Sequence, residues 1–531
     1  MEYAKSKSFE DRPTLAVVNR KVSPPSFKVS DSGSVVTIAT SDLELTYDSS
    51  KGAFSSESLQ ISSLSQDSAF KKWDPSMNSA NDAQNLRGTY RTLDGTKNVS
   101  LDCNNNGKMG DHCAFGLISR SGFAILNDTL SPVLDDDDWW ADSNGKPLTN
   151  LDDEDLYIFA HGHAYKDALK DYVSIGGSIP LIPRSNFGVW YTRWYDLNAR
   201  DVRKTVGDFE SRSVPLDIFI LDMNWHKKND WSGYSWDRNL FPDPSDTMSF
   251  IHRKGLRVGA NLHDATGIGN WEDKFQDVCT TLNIDPASVS KSIPFDLTSK
   301  DYVYALEDIV LKSIEDDGMD FWWIDWQQGE NGPGNTTNVR ADNPMNPTIW
   351  TDKMRNTDSI RRARLANESL SHSSVMNKNT KRDVVFARWG GMGNHRYQHG
   401  FSGDVNGLTW ENLAFQPYFS ATSSNVGWGF WSHDLVCCSR SMFSEITHIT
   451  FRDHSHFFPR SLTPFENTHT HRKDPVMIMK CTHAGFKLDL SVVLPECTNV
   501  ECLRVHVWVG LQILRGVRVS SRMCCSKVSL T

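Results

Sequence analysis

The chain has 531 residues, more than one hydrophobic core can organise, so roughly two to four domains are expected. With 56 Lys and Arg against 66 Asp and Glu the formal charge is -10, which argues against nucleic acid or an anionic membrane surface as the main partner. Hydrophobic residues make up 38% and aromatics 11%, a globular composition, and no run of 18 apolar residues is available to cross a bilayer.

Residues 1–183 carry short, punctuated strands. Ser34 to Thr40 and Leu43 to Tyr47 alternate with period two, and the turn cluster Asp48-Ser49-Ser50-Lys51-Gly52 follows. Similar runs at Phe115 to Ser119 and Gly122 to Leu126 complete the pattern of an all-β sandwich. The first eight residues, Met1 to Ser8, contain no apolar stretch of a signal peptide, so a cytoplasmic location is expected as written. The sequons at Asn98, Asn127, Asn335 and Asn367 would matter only for a secreted or lysosome-like protein with a longer N-terminus. Asp135 to Asp138 lacks the Gly and the spaced ligands of a calcium loop and reads as solvated.

Residues 184–436 switch to strand-then-helix alternation, the signature of βα units. Six strands are expected: Phe187 to Tyr191, Leu216 to Asp222, Leu256 to Leu262, Phe321 to Asp325, Val384 to Arg388 and Val426 to Trp431. Helices are expected at Ala199 to Arg212 and Tyr302 to Asp316. A (β/α)8 barrel needs eight strands, so this one reads as incomplete.

Residues 437–531 change character. Seven of the ten cysteines (Cys437, Cys438, Cys481, Cys497, Cys502, Cys524, Cys525) and seven of the 17 histidines lie after residue 436. No pair has zinc-ligand spacing, so neither a metal nor a cofactor is expected. Only Val505 to Val519 alternates like a strand, and the segment reads as atypical for a barrel.

The chemistry concentrates at strand ends. Trp322-Trp323-Ile324-Asp325-Trp326 delivers a carboxylate from an apolar run into indoles, and a loop rich in Gly, Asn and Pro follows. Asp222, Arg388, His433 and Asp434 end other strands, and a second acid sits in Gly400-Phe401-Ser402-Gly403-Asp404. Retaining glycoside hydrolysis uses two carboxyls about 5–5.5 Å apart, one ionised and one protonated. Among 18 Trp, some can stack on a sugar face, although most of so large a number serve as core.

From Asn85-Leu86-Arg87-Gly88-Thr89-Tyr90 to Asp434 the chain resembles glycoside hydrolase family 31, whose best-known members are α-glucosidases. The resemblance runs in order through Leu156 to Leu169, Phe187 to Tyr195, Pro215 to Asp222 and Phe241-Pro242-Asp243-Pro244. It continues through the Trp-Ile-Asp-Trp segment, Arg388 to Asp404 and Trp431-Ser432-His433-Asp434. It implies Asp325 as nucleophile and Asp404 as general acid/base. It also implies that Asp222, Trp323, Arg388 and Asp434 line the sugar pocket, with His454 of Phe451-Arg452-Asp453-His454 as a further contact. The implied activity is that of a retaining exo-acting α-glycosidase, α-glucosidase first, with carbohydrate as partner. Gln327-Gln328 departs from the common α-glucosidase pattern. Other α-glycosidase specificities (α-xylosidase, α-galactosidase, transglycosylase) and an inactive carbohydrate-binding remnant therefore stay open. The pair His161 and His163 falls inside a matched structural stretch and is read as structural rather than as metal ligands.

Overall fold

The computed structural model describes residues 1–90, 101, 113–135, 141, 153–325, 386–387, 393, 395, 399–404 and 410–437, apart from 15, 130, 132, 180–181, 228–229, 265 and 297–298. It also describes backbone strands at 476–483, 486–493, 503–508 and 529–530. Arg388, His454, Gln327-Gln328 and Asp136 to Asp138 lie outside the described residues.

The N-terminal region contains β1 (Glu2–Tyr3), β2 (Lys28–Ser32), β3 (Val35–Ala39), β4 (Leu43–Asp48), β5 (Leu59–Ser63), β6 (Lys72–Trp73), β7 (Thr89–Tyr90), β8 (Cys113–Ala114), β9 (Ala124–Asn127) and β10 (Glu154–Phe159). Strands β2 to β6 form one antiparallel meander, and β1-β10-β9 form a second antiparallel sheet. The expected turn after β4 is present: the Asp48 carboxylate accepts the Ser50 N–H, and Gly52 takes a positive φ of 79°. Leu59, Ile61, Phe70 and Trp73 from the first sheet and its flanks pack on Phe123, Ile125, Leu156 and Ile158 from the second. Two sheets facing each other across one apolar layer are the expected sandwich. No strand forms at 115–119, where one was expected: β8, paired with β7, ends just before it at Ala114, and a single bridge joins Asn85 to Ser119.

Helix α1 (Tyr165–Gly176) leads towards the second region. Its Tyr172 is fully buried, edge-on to Phe159 of the sandwich and 5.1 Å from the His395 ring.

The second region is a ring of strands with helices outside. In chain order it contains β11 (Trp190–Arg193), α2 (Ala199–Ser211), β12 (Ile218–Leu221), α3 (Pro244–Arg253), β13 (Arg257–Leu262), β14 (Ile268–Gly269), α4 (Phe275–Thr281) and β15 (Ser292–Ile293). The continuous helix α5 follows, made of Lys300–Ala305, a π-helical stretch Leu306–Leu311 and Lys312–Glu315. Then come β16 (Phe321–Ile324), β17 (Phe386–Ala387), β18 (His399–Asp404), α6 (Trp410–Ser423) and β19 (Trp431–Cys437). Local chemistry starts the helices: Asn198 and Asp201 form a reciprocal capping box for α2, and Asp243 caps α3 ahead of Pro244.

Strands β11, β12, β13, β16, β17, β18 and β19 pair in parallel in that order. Alternate residues face opposite ways. Trp190, Ile218, Ile220, Phe321, Trp323 and Phe386 pack together in one cluster that fills the ring. Tyr191, Phe219, Leu221, Val258, Ala260, Leu262 and Trp322 join Val202, Val206, Met248, Ile251, Val310 and Leu311 from the helices in another. Burial of both faces is why these strands read as continuous apolar runs.

The ring departs from expectation in three places. Seven parallel strands are present rather than six, because the segment ending in Asp404 is itself a strand, β18. Gly400 and Gly403 interrupt its apolar pattern and hide it. The strand expected at 426–431 begins instead at Trp431; before it lie a tight turn, Ser424–Val426, and Gly427 at φ 80°. The eighth position is held by β22 (Leu503–Trp508), which pairs antiparallel with both β19 and β11 and so closes the ring without a βα unit. The other C-terminal strands, β20 (Val476–His483), β21 (Phe486–Val493) and β23 (Ser529–Leu530), form a separate antiparallel sheet.

Candidate active site

Parallel strands that close a ring bring their C-terminal ends to one mouth, and three neighbouring ends carry buried polar groups. Asp222 follows β12. It is 5% exposed, and its Oδ1 accepts the Met223 N–H at 2.8 Å, capping the helical turn Met223–Trp225. Asn261 ends β13 together with Leu262, and His263 and Asp264 follow. Asp325 follows β16.

Asp325 is 2% exposed, and its N–H donates to the Leu262 carbonyl at 3.0 Å. The register sets Asn261 opposite Trp323 and Leu262 opposite Ile324, so the β13 end lies beside the acid. Asn261 Nδ2 donates to Asp325 Oδ2 at 2.8 Å, and His263 Nε2 approaches the same oxygen at 3.2 Å. A carboxylate only accepts, so Nε2 is the donor in this contact. The indole of Trp231 stacks on the His263 ring at 5.0 Å and 17°. Trp231 is 45% exposed and meets the exposed Trp194 edge-on at 6.4 Å. The acid is therefore enclosed, while aromatic faces stand open beside it.

The loop after β12 is pinned to the end of β13. Trp225 Nε1 donates to the Asn261 carbonyl at 2.8 Å, and Tyr234 donates its hydroxyl to Asp264 Oδ1 at 2.8 Å. Ser235 donates to Glu272 Oε2 at 2.5 Å, and burial raises the Glu272 carboxyl above its ordinary range. Burial also lowers His226 to about 4, so its ring is neutral and donates from Nδ1 to the Lys227 carbonyl at 2.8 Å.

The expected site residues divide accordingly. Asp222 and Asp325 stand at the ends of β12 and β16, the two strands that flank β13. Trp323 is fully buried within the ring, 5.8 Å from the Phe386 ring, and supports the mouth from below rather than offering a face to solvent. Asp404 and Asp434 lie on adjacent strands as direct register partners, next to an irregularity between Phe401 and Asp404. Asn261, His263 and Trp231 were not expected. The strand-end rule that picked out Asp222 and Asp325 would also have found His263, had it been applied to the third strand. His161 pairs with Asp171 at 3.1 Å while His163 Nε2 meets the Arg120 carbonyl at 3.1 Å, so the two engage different partners. Among the described residues no cluster of His, Cys, Asp or Glu is suited to a metal ion.

Residues 179–477, more than half of the chain, match the glycosyl hydrolases family 31 TIM-barrel domain. The chain belongs to glycoside hydrolase family 31. This family-31 chain is 26% identical over 182 residues to an α-xylosidase of Saccharolobus solfataricus, a stretch covering 34% of this chain and 23% of that protein. It is 33% identical over 104 residues to α-glucosidase 2 of Bacillus thermoamyloliquefaciens, covering 20% and 13% respectively. Two solved structures share the fold. A family-31 dextranase of Flavobacterium johnsoniae, complexed with isomaltotriose, has a TM-score of 0.51 at 17% identity and covers 81% of this chain and 56% of that one. A family-31 α-xylosidase from a soil metagenome, complexed with xylose, has a TM-score of 0.52 at 15% identity and covers 81% and 67%. The chain thus spans less than a quarter of the matched S. solfataricus enzyme and little more than half of the dextranase.

Proposed function

We propose that this chain is a retaining, exo-acting α-glycosidase that removes terminal α-linked sugars, with α-glucosides as first substrate and α-xylosides as second. The observation that carries the reading is Asp325: a carboxylate buried at the C-terminal end of a parallel strand, one oxygen held by Asn261 and His263. In this reading Asp325 attacks the anomeric carbon while Asp404 protonates the departing glycosidic oxygen, giving a glycosyl-aspartate. Asp404 then takes a proton from water, and the water displaces Asp325 with net retention. Asp222 holds sugar hydroxyls, and Arg388, Asp434 and His454 complete the pocket. The catalytic unit is 184–436, with the sandwich 1–183 before it and 437–531 as an atypical segment. Relatives that are an α-xylosidase and an α-glucosidase support both sugar classes.

One observation favours a second reading, an inactive carbohydrate-binding barrel: the eighth position is filled by an antiparallel strand instead of a βα unit. Hydrolysis of a panel of 4-nitrophenyl α-glycosides by the purified chain decides between them. Turnover is expected on the glucoside or xyloside, and NMR of the first-formed sugar should show the α anomer. Asp325→Asn is expected to abolish turnover, because an amide is neither anionic nor a competent nucleophile. No release from any α-glycoside would favour the binding-only reading, and a β first product would overturn retention.

A further inference from the structure

We infer that His263 is a positioning residue for the Asp325 carboxylate, clamped in place by Trp231; the inference rests on Asp325 as nucleophile. The observations are geometric. His263 Nε2 meets Asp325 Oδ2 at 3.2 Å, and the two side chains are 5% and 2% exposed. Water therefore competes poorly for that oxygen, and the donor is fixed by protein. A positioning histidine is commonly oriented by a hydrogen bond at its other nitrogen. Here the buried Nδ1 has no hydrogen-bond partner among the described residues. The ring plane is set instead by the near-parallel Trp231 indole, 5.0 Å away at 17°.

Asn261 donates to the same oxygen from the preceding inward position of β13. Two donors on Oδ2 fix that oxygen and restrict rotation of the acid about its Cβ–Cγ bond. Attack on an anomeric carbon requires one oxygen to be aligned, and misplacement by about 1 Å can cost on the order of 10²-fold in rate. Residue 263 thus governs the chemical step without touching the sugar. Trp231, 45% exposed, sits over the His263 face and belongs to the mouth, so the clamp lies within reach of whatever occupies it.

The test uses the full chain and three substitutions, with kcat and KM measured on an activated aryl α-glycoside and thermal melting as a control. His263→Phe keeps a flat ring for Trp231 but has no donor; kcat should fall on the order of 10²-fold with KM changed less than about 3-fold. His263→Gln can return an N–H near the Nε2 position and should recover at least about 10-fold of that loss. Trp231→Ala removes an exposed ring, so the fold should persist, and kcat should fall about 10-fold as the histidine loosens. Should His263→Phe fail to melt cooperatively, His263→Leu supplies the same donorless comparison. Asp325→Asn, measured alongside them, separates the two readings. An inactive wild-type chain, or Asp325→Asn with retained turnover, overturns the nucleophile and this inference together. With Asp325→Asn dead, a donorless variant at wild-type kcat, or one impaired in KM alone, overturns the role of His263 and leaves the nucleophile standing. Equal impairment of His263→Phe and His263→Gln, both fully folded, likewise overturns it.

Discussion

At the scale of single residues, the site separates groups by the solvent each can reach. Asp325 is enclosed and held by two N–H donors, while Trp231 and Trp194 offer open aromatic surface beside it. Such a division suits a reaction in which a fixed carboxylate meets a sugar whose apolar face can rest on an indole. Asp404, the proposed acid/base, has a distinct signature. Asp404→Ala should slow substrates with poor leaving groups far more than aryl glycosides, because only the former need protonation. Added azide should partly restore turnover on aryl substrates by replacing the activated water. Rates with 4-nitrophenyl and unactivated disaccharide substrates, with and without azide, check this; equal loss on both without rescue would contradict it.

At the scale of elements, the inside of the ring is packed by choosing where side chains are left out. Gly259 of β13 lies opposite Phe321 in the register, and a Cβ at 259 would come within 2.6 Å of the Phe321 ring. The ring occupies that space, with the Trp190 ring 5.6 Å from it. Gly259→Val should therefore overpack the interior, costing about 1–3 kcal/mol and lowering the melting temperature by several degrees. Urea denaturation of the variant against wild type measures it, and an unchanged midpoint would show that the strands can spread. The same packing explains which elements were legible. Phe321 to Ile324 is a run of large apolar residues because β16 is buried on both faces, and it was found with its terminal acid. The strand β18 carries Gly400 and Gly403 in its middle, so its backbone role left no apolar trace. Asn261-Leu262 is legible as the end of a strand followed by polar His263 and Asp264, but nothing within it names the strand it will meet. Only pairing with β16, some sixty residues later, makes it part of the site.

At the scale of the whole molecule, closure and pH response come from parts distant in sequence. β22 pairs with β19 over six positions and with β11 over two. Deleting residues 503–531 should expose both strand edges, and an open sheet edge invites association. Light scattering after size exclusion should report aggregates and calorimetry a lost cooperative transition; a monomeric, cooperatively melting product would show that β22 is dispensable.

Two buried groups should shape stability against pH in opposite senses. Burial raises the Asp128 carboxyl of the sandwich to about 7 from 3.8, against hydrogen bonds from Ser131 and Thr14. Between those values the folded state keeps a proton that the unfolded chain has released, so stability falls as pH rises from about 4 to about 7, by on the order of 4 kcal/mol at most. His226 in the barrel falls to about 4 from 6.5, so there the unfolded chain holds the extra proton and stability falls as pH drops through that window. Asp128→Asn should therefore melt above wild type at pH 8 and close to it at pH 4.5. A constant difference across that range, read by scanning calorimetry, would remove Asp128 as the cause.

What the sequence determined by itself was local and periodic. Alternation specified the sandwich strands, the strand-helix rhythm specified the barrel, and an acid at the end of an apolar run specified Asp325. Each of these signals depends on neighbours within a few residues, where side-chain direction follows from backbone geometry alone. What only the tertiary structure decided was which strand ends meet. Parallel register set Asn261 and His263 on Asp325, folded Trp231 over the histidine, and made Asp404 and Asp434 partners. It also brought a strand near residue 505 back to close a ring begun at residue 190. Backbone pairing in a ring is satisfied by any strand that fits the open edges, and no periodicity within that strand names the edge it will fill.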